Sequence, residues 1–367
     1  MTQTAIPCLF MRGGTSRGPY IKASDLPGDR EVLAGVLAAM VGAGHKLNID
    51  GIGGGAAVTT KVAMLSPSGD DWADVDYFFA QVNPESGDVD FAPTCGNILS
   101  GVGPAAIDLG IIAAQGSETP VRIRSVNTGA RVEAVVQTSA GRAVYDGDTV
   151  IAGVPGSAAP VILKFMDVTA SRTSAMFPSG ARRERIEGVE VTLIDVAMPM
   201  CIARAVDFGI RGDETAAALD ENRELFANIE RIRLEAGRRM GLGDVRKSVV
   251  PKFGLLAPPV AGGSILARYF MPWNCHPSMA VTGAICIGSC LLASGTIAEG
   301  LGEAGILGAE EARRIRIEHP MGLIDVVYDY AQDEASFSLN SAGILRTARA
   351  LMRGDVYIPA AVWGGLK

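Results

Sequence analysis

Basic residues are in short supply in this sequence. It has 33 Lys and Arg against 40 Asp and Glu, a net charge of −7, which argues against nucleic acid as the main partner, since that needs a basic surface. Histidine is rarer: only His45, His276 and His319 occur, none has a second ligand at metal-site spacing, and no metal site is expected. The six cysteines form no C-x-x-C pair and read as reduced thiols in a cytoplasmic protein. The opening MTQTAIPCLFMRGG lacks a basic segment and a long apolar run, so no signal peptide is expected. The stretch 269–298 has no Asp, Glu, Lys or Arg, but Pro272, Asn274, Pro277 and many Gly, Ser and Thr interrupt it. A buried interior helix is expected there, and no membrane span.

What is plentiful is apolar residue and glycine. Of 367 residues 48% are apolar, 20% are charged and 45 are glycine. That supplies one large or two ordinary cores with many tight turns. Short runs rich in β-branched and aromatic residues dominate, among them KVAMLS, VDYFFAQV, VRIRSV, VILKFMDV and DVVYDYA, and predict strands. One amphipathic helix is predicted after Asp213, with acids in its first turn.

Two runs resemble each other. CGNILSGVGPAAIDLG starts at Cys95 and CHPSMAVTGAICIGSC at Cys275. Both are small and apolar nearly all round, so each predicts a helix wrapped by protein. Each follows a strand–turn–strand pattern: IPCLFMRGGTSRGPYIKA in the first half, VTLIDVAMPMCIARAVD in the second. Duplication and chance likeness between small-residue helices both account for this.

Several motifs carry chemistry only in the right setting. GIGGGA at 51–56 matches a dinucleotide fingerprint, but no apolar strand precedes it and no helix opens after it, so a glycine-rich turn is expected. MRGGTSRG at 11–18 is a polar hairpin turn whose N–H groups, hydroxyls and arginines suit carboxylate oxygens; an ordinary hairpin reads the same way. Lys61 sits among apolar and β-branched residues; turned inward it can act as a base, turned outward it is a surface lysine. His276 reads equally as a substrate contact or a capping residue. Cys95 is the strongest single feature, because a thiol at a helix start gains thiolate character and shares its N–H groups with anions. A buried inert cysteine is the bland alternative.

Together RGGTSRG, DGIGGG with TTKVA, TCGNILSGVGP, NTG at 127–129, FPSG at 177–180, GDV with VPK at 243–252, HPSMAVTGA and RTARALM resemble the methylaconitate isomerase (PrpF) family, nearest to its 4-oxalomesaconate tautomerases. The resemblance implies an α+β, diaminopimelate epimerase-like fold: two similar domains, each a curved sheet wrapped round a central helix, with the active site between them. The domains expected are 1–184 with a C-terminal return at 342–367, and 185–341. It implies a cofactor-independent isomerase that needs no metal. Such an enzyme shifts a proton and a double bond in a small anionic polycarboxylate, without membrane or nucleic-acid partners; a homodimer is compatible with it.

On this resemblance Lys61 and Cys95 are the catalytic pair, and which is base and which is acid stays open. Gly14, Thr15, Ser16, Thr60, Gly96, Asn97, Met198, Arg268, His276 and Ser278 are expected to bind substrate. The chain departs from the tautomerases at Pro93-Thr94, Val126, Val196-Ala197 and Trp273-Asn274. These changes remove polar groups and imply a substrate with one fewer charge or a different shape. The alternatives are a two-base racemase or epimerase using Cys95 and Cys275, and a non-catalytic carboxylate-binding protein.

Overall fold

The strand–turn–strand expected at the N-terminus is β1 (Gln3–Gly13) and β2 (Ser16–Lys22), paired so that Gly13 faces Ser16. The two-residue turn needs a left-handed residue, and Gly14 supplies it with φ +52°. The computed structural model describes residues 2–166, 168–271, 273–303, 305–307, 312–332 and 337–366; Met1, Pro272 and Lys367 lie outside the described residues. The chain divides into two compact units, Met1–Phe165 with Leu345–Lys367, and Met166–Ile344. The segment 166–184, grouped with the first half on sequence, falls in the second unit. Hydrogen bonds tie it there, from Ala170 N to Asp195 O (2.9 Å) and from Asp195 N to Met176 O (2.8 Å).

The first unit continues with α1 (Arg30–Val41), β3 (Lys61–Pro67), β4 (Val75–Val82), β5 (Val89–Asp90), α2 (Gly96–Leu99), α3 (Val102–Asp108), β6 (Glu118–Ser125), β7 (Arg131–Ser139), β8 (Arg142–Ala143) and β9 (Pro160–Phe165). Pairing runs β1–β2–β3–β4–β6–β7–β9. The returning part of the last strand, Phe337–Pro359, pairs with both β1 and β9. The ladder therefore closes on itself around the small-residue helix. Val62, Met64, Ala80 and Val82 pack outward beneath α1, so strand alternation turns Lys61, Ala63, Tyr77, Phe79 and Gln81 to the opposite, helix-lined face. Gly103 in α3 has no room for a side chain: a Cβ would lie 2.7 Å from Val136. Tyr20, fully buried, donates to Ile98 O at 2.6 Å; burying such a side chain contributes about 1.5–3 kcal/mol.

The second unit has β10 (Glu184–Ile186), β11 (Val189–Asp195), β12 (Pro199–Arg204), α4 (Ala216–Asp220), α5 (Arg223–Arg239), β13 (Lys252–Ala257), β14 (Ile265–Phe270), α6 (Val281–Leu292), β15 (Gly305–Leu307), β16 (Ala312–His319), β17 (Gly322–Gln332) and the first part of β18 (Phe337–Pro359). Pairing runs β10–β11–β12–β13–β14–β16–β17–β18. The predicted surface helix is split into α4 and α5, because Asn222 caps α5 by accepting from Leu225 N at 3.0 Å. Its apolar stripe packs on one sheet face through Leu225, Ile229, Ile232 and Ala236. The other face holds α6, buried along nearly its whole length. Tyr328 does here what Tyr20 does in the first unit, donating to Ile285 O at 2.8 Å across Gly288. Two sheet-wrapped helices in one chain are the expected α+β class.

Candidate active site

In the first unit the predicted residues gather around the start of α2. Cys95 is the N-cap of that helix, in extended backbone, and is half-buried while the other five cysteines are buried. The helix pauses at Ser100-Gly101, where Tyr20 crosses it, before α3 resumes. Asn97 reaches the β1–β2 turn: its Oδ1 accepts from Thr15 N at 3.4 Å, and a Cβ on Gly14 would lie 2.2 Å from that oxygen. The turn is held by Arg12, whose guanidinium donates to Gly14 O at 2.8 Å and Thr347 O at 3.0 Å. Ser16 is buried beside it.

Lys61 opens β3 directly opposite Gln81 and donates to the Gln81 side-chain oxygen. Its Nζ lies 5.4 Å from the centre of the Phe79 ring, and Tyr77, two residues on, points its hydroxyl at Cys95 O, 3.4 Å away. Tyr77, Phe79 and Gln81 form one row on one face of β4. Lys61 stands at the Gln81 end of that row and Cys95 at the Tyr77 end. Burial pushes the Tyr20 and Tyr77 phenols well above their ordinary range, with Cys95 adding to both. Both therefore serve as O–H donors. Thr60 is fully buried, with its hydroxyl donating to Val82 O at 2.7 Å. It shapes the strand entry, and its hydroxyl is used internally.

In the second unit Met198, His276 and Ser278 come together at the start of α6. Met198 sits in the β11–β12 turn, and its sulfur accepts from Tyr269 Oη at 3.2 Å and Thr282 Oγ1 at 3.6 Å. The His276 ring stands edge-on to Tyr269, centroids 5.8 Å apart. Its Nδ1 accepts from Ser278 N at 3.0 Å, which leaves Nε2 to carry the proton of the neutral ring. Burial pushes the imidazole below its ordinary pKa, a backbone hydrogen bond at Ser278 works the other way, and Lys252 lowers it further.

Arg268 does not join this group. It is buried on the α5 face of β14, with its guanidinium donating to Glu214 O at 2.7 Å and Ala267 O at 3.0 Å. Adjacent strand residues point opposite ways, so Tyr269 faces α6 and Arg268 cannot. Cys275 also packs in the α5 cluster, its N–H donating to Asp220 at 2.6 Å. Burial pushes its thiol up to about 11. It is not the α6 cap: that is Ala280, so the sequence match of Cys95 to Cys275 aligns a helix cap with a strand bridge. Gln81, Tyr77, Phe79, Tyr269 and Lys252 are the residues that sequence reasoning missed. Alternation in VDYFFAQV was the available signal for the first three. Among the described residues no group of three or more His, Cys, Asp or Glu is placed to hold a metal ion, and no helix is long and apolar enough to cross a membrane.

The comparisons with known proteins agree along the whole chain. The family model described as PrpF protein matches residues 3–359. YbhH of Escherichia coli K12 is 46% identical over 96% of this chain and 99% of its own length. The 4-oxalomesaconate tautomerase of Pseudomonas putida is 44% identical over 100% of this chain and 99% of its own. Among solved structures, that of a methylitaconate-delta-isomerase superposes with a TM-score of 0.87 at 32% identity, covering 99% of this chain and 97% of that one. With a matching fold and relatives aligned from end to end, the chain belongs to the PrpF family.

Proposed function

We propose that the protein is an isomerase of small unsaturated di- or tricarboxylates, and that Lys61 and Cys95 are its proton-transfer pair. The observation that carries this is their placement at the two ends of the Tyr77–Phe79–Gln81 row. A C–H conjugated with a carboxylate is weakly acidic. Its removal places charge on carboxylate oxygens as a dienolate. One member of the pair takes the proton and the other returns one at the far allylic carbon, so the double bond moves and no atom is gained or lost. The N–H groups of Gly96 and Asn97 suit the growing charge, whereas those of Gly14 and Thr15 are already donated to Thr347 O and Asn97 Oδ1. The substrates named for relatives, 4-oxalomesaconate and methylitaconate, are acids of this class.

The two-base racemase reading needs a second exposed thiol. Cys275, buried and raised to about 11, does not offer one. All six cysteines are free, which supports a reducing, cytoplasmic setting. The deciding experiment is proton NMR in deuterated buffer with oxalomesaconate-, itaconate- and aconitate-like acids alongside amino acids. Deuterium uptake with a shifted double bond is expected for at least one unsaturated acid. Exchange confined to the α-carbon of an amino acid would replace this reading with the racemase.

A further inference from the structure

Among the described residues, a lysine of the second unit has no partner for its charge. Lys252 opens β13, opposite Met200 across the parallel β12–β13 ladder. Its neighbours fix its direction. Phe253, Leu255 and Ala257 pack into the α5 cluster, so Lys252, Gly254 and Leu256 face the other way, toward α6. A Cβ on Gly254 would sit 3.2 Å from the Met200 sulfur, and one on Gly283 of α6 would sit 2.7 Å from the Tyr269 ring. Lys252 thus shares its face with Tyr269, His276 and Met198.

Lys252 is half-buried, yet no hydrogen-bond or ion-pair partner for its Nζ exists among the described residues. The charges acting on it share its sign. Burial and then Arg233 and Arg172 push its pKa down, and Lys252 in turn pushes His276 down. Arg233 is satisfied elsewhere, by Glu230 at 2.6 Å and Val245 O at 2.9 Å. Arg172 stays on the exposed loop that encloses Asp195 through its backbone N–H at 2.8 Å. Desolvating a cation with no counter-charge is unfavourable, so the arrangement costs stability until an anion arrives.

We propose that Lys252 binds a carboxylate on the α6 face of the second unit, with the Nε2–H of His276 as a second donor. Naming it a carboxylate of the substrate rests on the isomerase reading above. The test uses the full chain and propane-1,2,3-tricarboxylate, a saturated acid that binds without reacting. Calorimetry should show binding to the wild type, weakened about ten-fold or more in Lys252→Met and partly recovered in Lys252→Arg. KM for the unsaturated substrate should rise by a similar factor, and the melting temperature should hold or increase as the unpaired charge is removed. Unchanged binding in a folded, active Lys252→Met overturns the proposal, as does a fall in melting temperature shared by Met and Arg variants, which would make the lysine structural. Lysine-dependent binding in a wild type that isomerises no acid keeps the anion site and sinks the isomerase reading instead.

Discussion

Gln81 stands directly across the β3–β4 ladder from Lys61 and accepts its N–H. The carboxamide cannot turn over, because its Nε2 donates to Ala57 O at 3.1 Å, Val82 O at 3.2 Å and Thr60 O at 3.3 Å. Its oxygen is therefore fixed toward the amine, which makes Gln81 a positioning residue. Gln81→Leu should fold, keep KM within a few-fold and lose about ten- to hundred-fold in kcat, the scale of loss when a reacting group is displaced by about 1 Å. Gln81→Glu, which keeps an acceptor, should recover part of that rate. A variant that lowers kcat and melting temperature together, without rescue, would mark Gln81 as part of the scaffold only.

Lys61→Ala should abolish isomerisation to at least about a thousand-fold below wild type, within the range general acid–base groups supply. The fold should survive, because the side chain is only partly buried and holds no backbone in place. Circular dichroism checks the fold and single-turnover NMR the chemistry. Near-normal turnover removes Lys61 from the reaction.

How much of this was legible in the sequence differs from residue to residue. Cys95 was readable as a helix start because Gly96 and Asn97 precede a small-residue run, and the structure makes it the cap. Cys275 misled because a glycine follows it at the same offset, Gly283 against Gly103, in a run that is also small and apolar. The helix there waits until Val281, since the Cys275 backbone is already bridged to Phe270 and held by Asp220. Arg268 carries the charge expected of a substrate contact, but strand parity turns it toward α5. Alternation in VDYFFAQV assigns Gln81 to a strand face without placing it opposite Lys61, and Lys252 carries no such signal. Their significance comes from what stands opposite them across a ladder or along a sheet face, and a sequence does not state its register.

His276 gives the fold a pH dependence whose sign is fixed. Its folded pKa is depressed by burial and by Lys252, below the ordinary value of about 6.5. In the window below about 6.5 the unfolded chain binds the proton first, so stability is fully present above that pH and falls as pH drops toward the folded value. Urea midpoints at about pH 7.5 and 5.5 should therefore differ more in wild type than in His276→Gln. Lys252→Met, which removes one cause of the shift, should fall between them. Equal losses in all three proteins would assign the acid sensitivity to other groups.

Cys95 should react first among the thiols, and its loss should track activity. It is half-buried, whereas Cys8, Cys201, Cys275, Cys286 and Cys290 are buried. Burial also raises the pKa of each of these five, to about 11 for Cys8, Cys275 and Cys290. Thiolate is the attacking species, so these thiols are slow on grounds of both access and ionisation. Iodoacetamide at low molar ratio should modify Cys95 before any other cysteine, with inactivation in step. Propane-1,2,3-tricarboxylate should slow both, by occupying the N–H groups of Gly96 and Asn97 beside the sulfur. Peptide mass spectrometry at matched residual activities reads the order of labelling. Should Cys95 be fully alkylated while turnover persists, the thiol at the α2 cap lies outside the chemistry, and the row from Lys61 to Tyr77 ends on a structural residue.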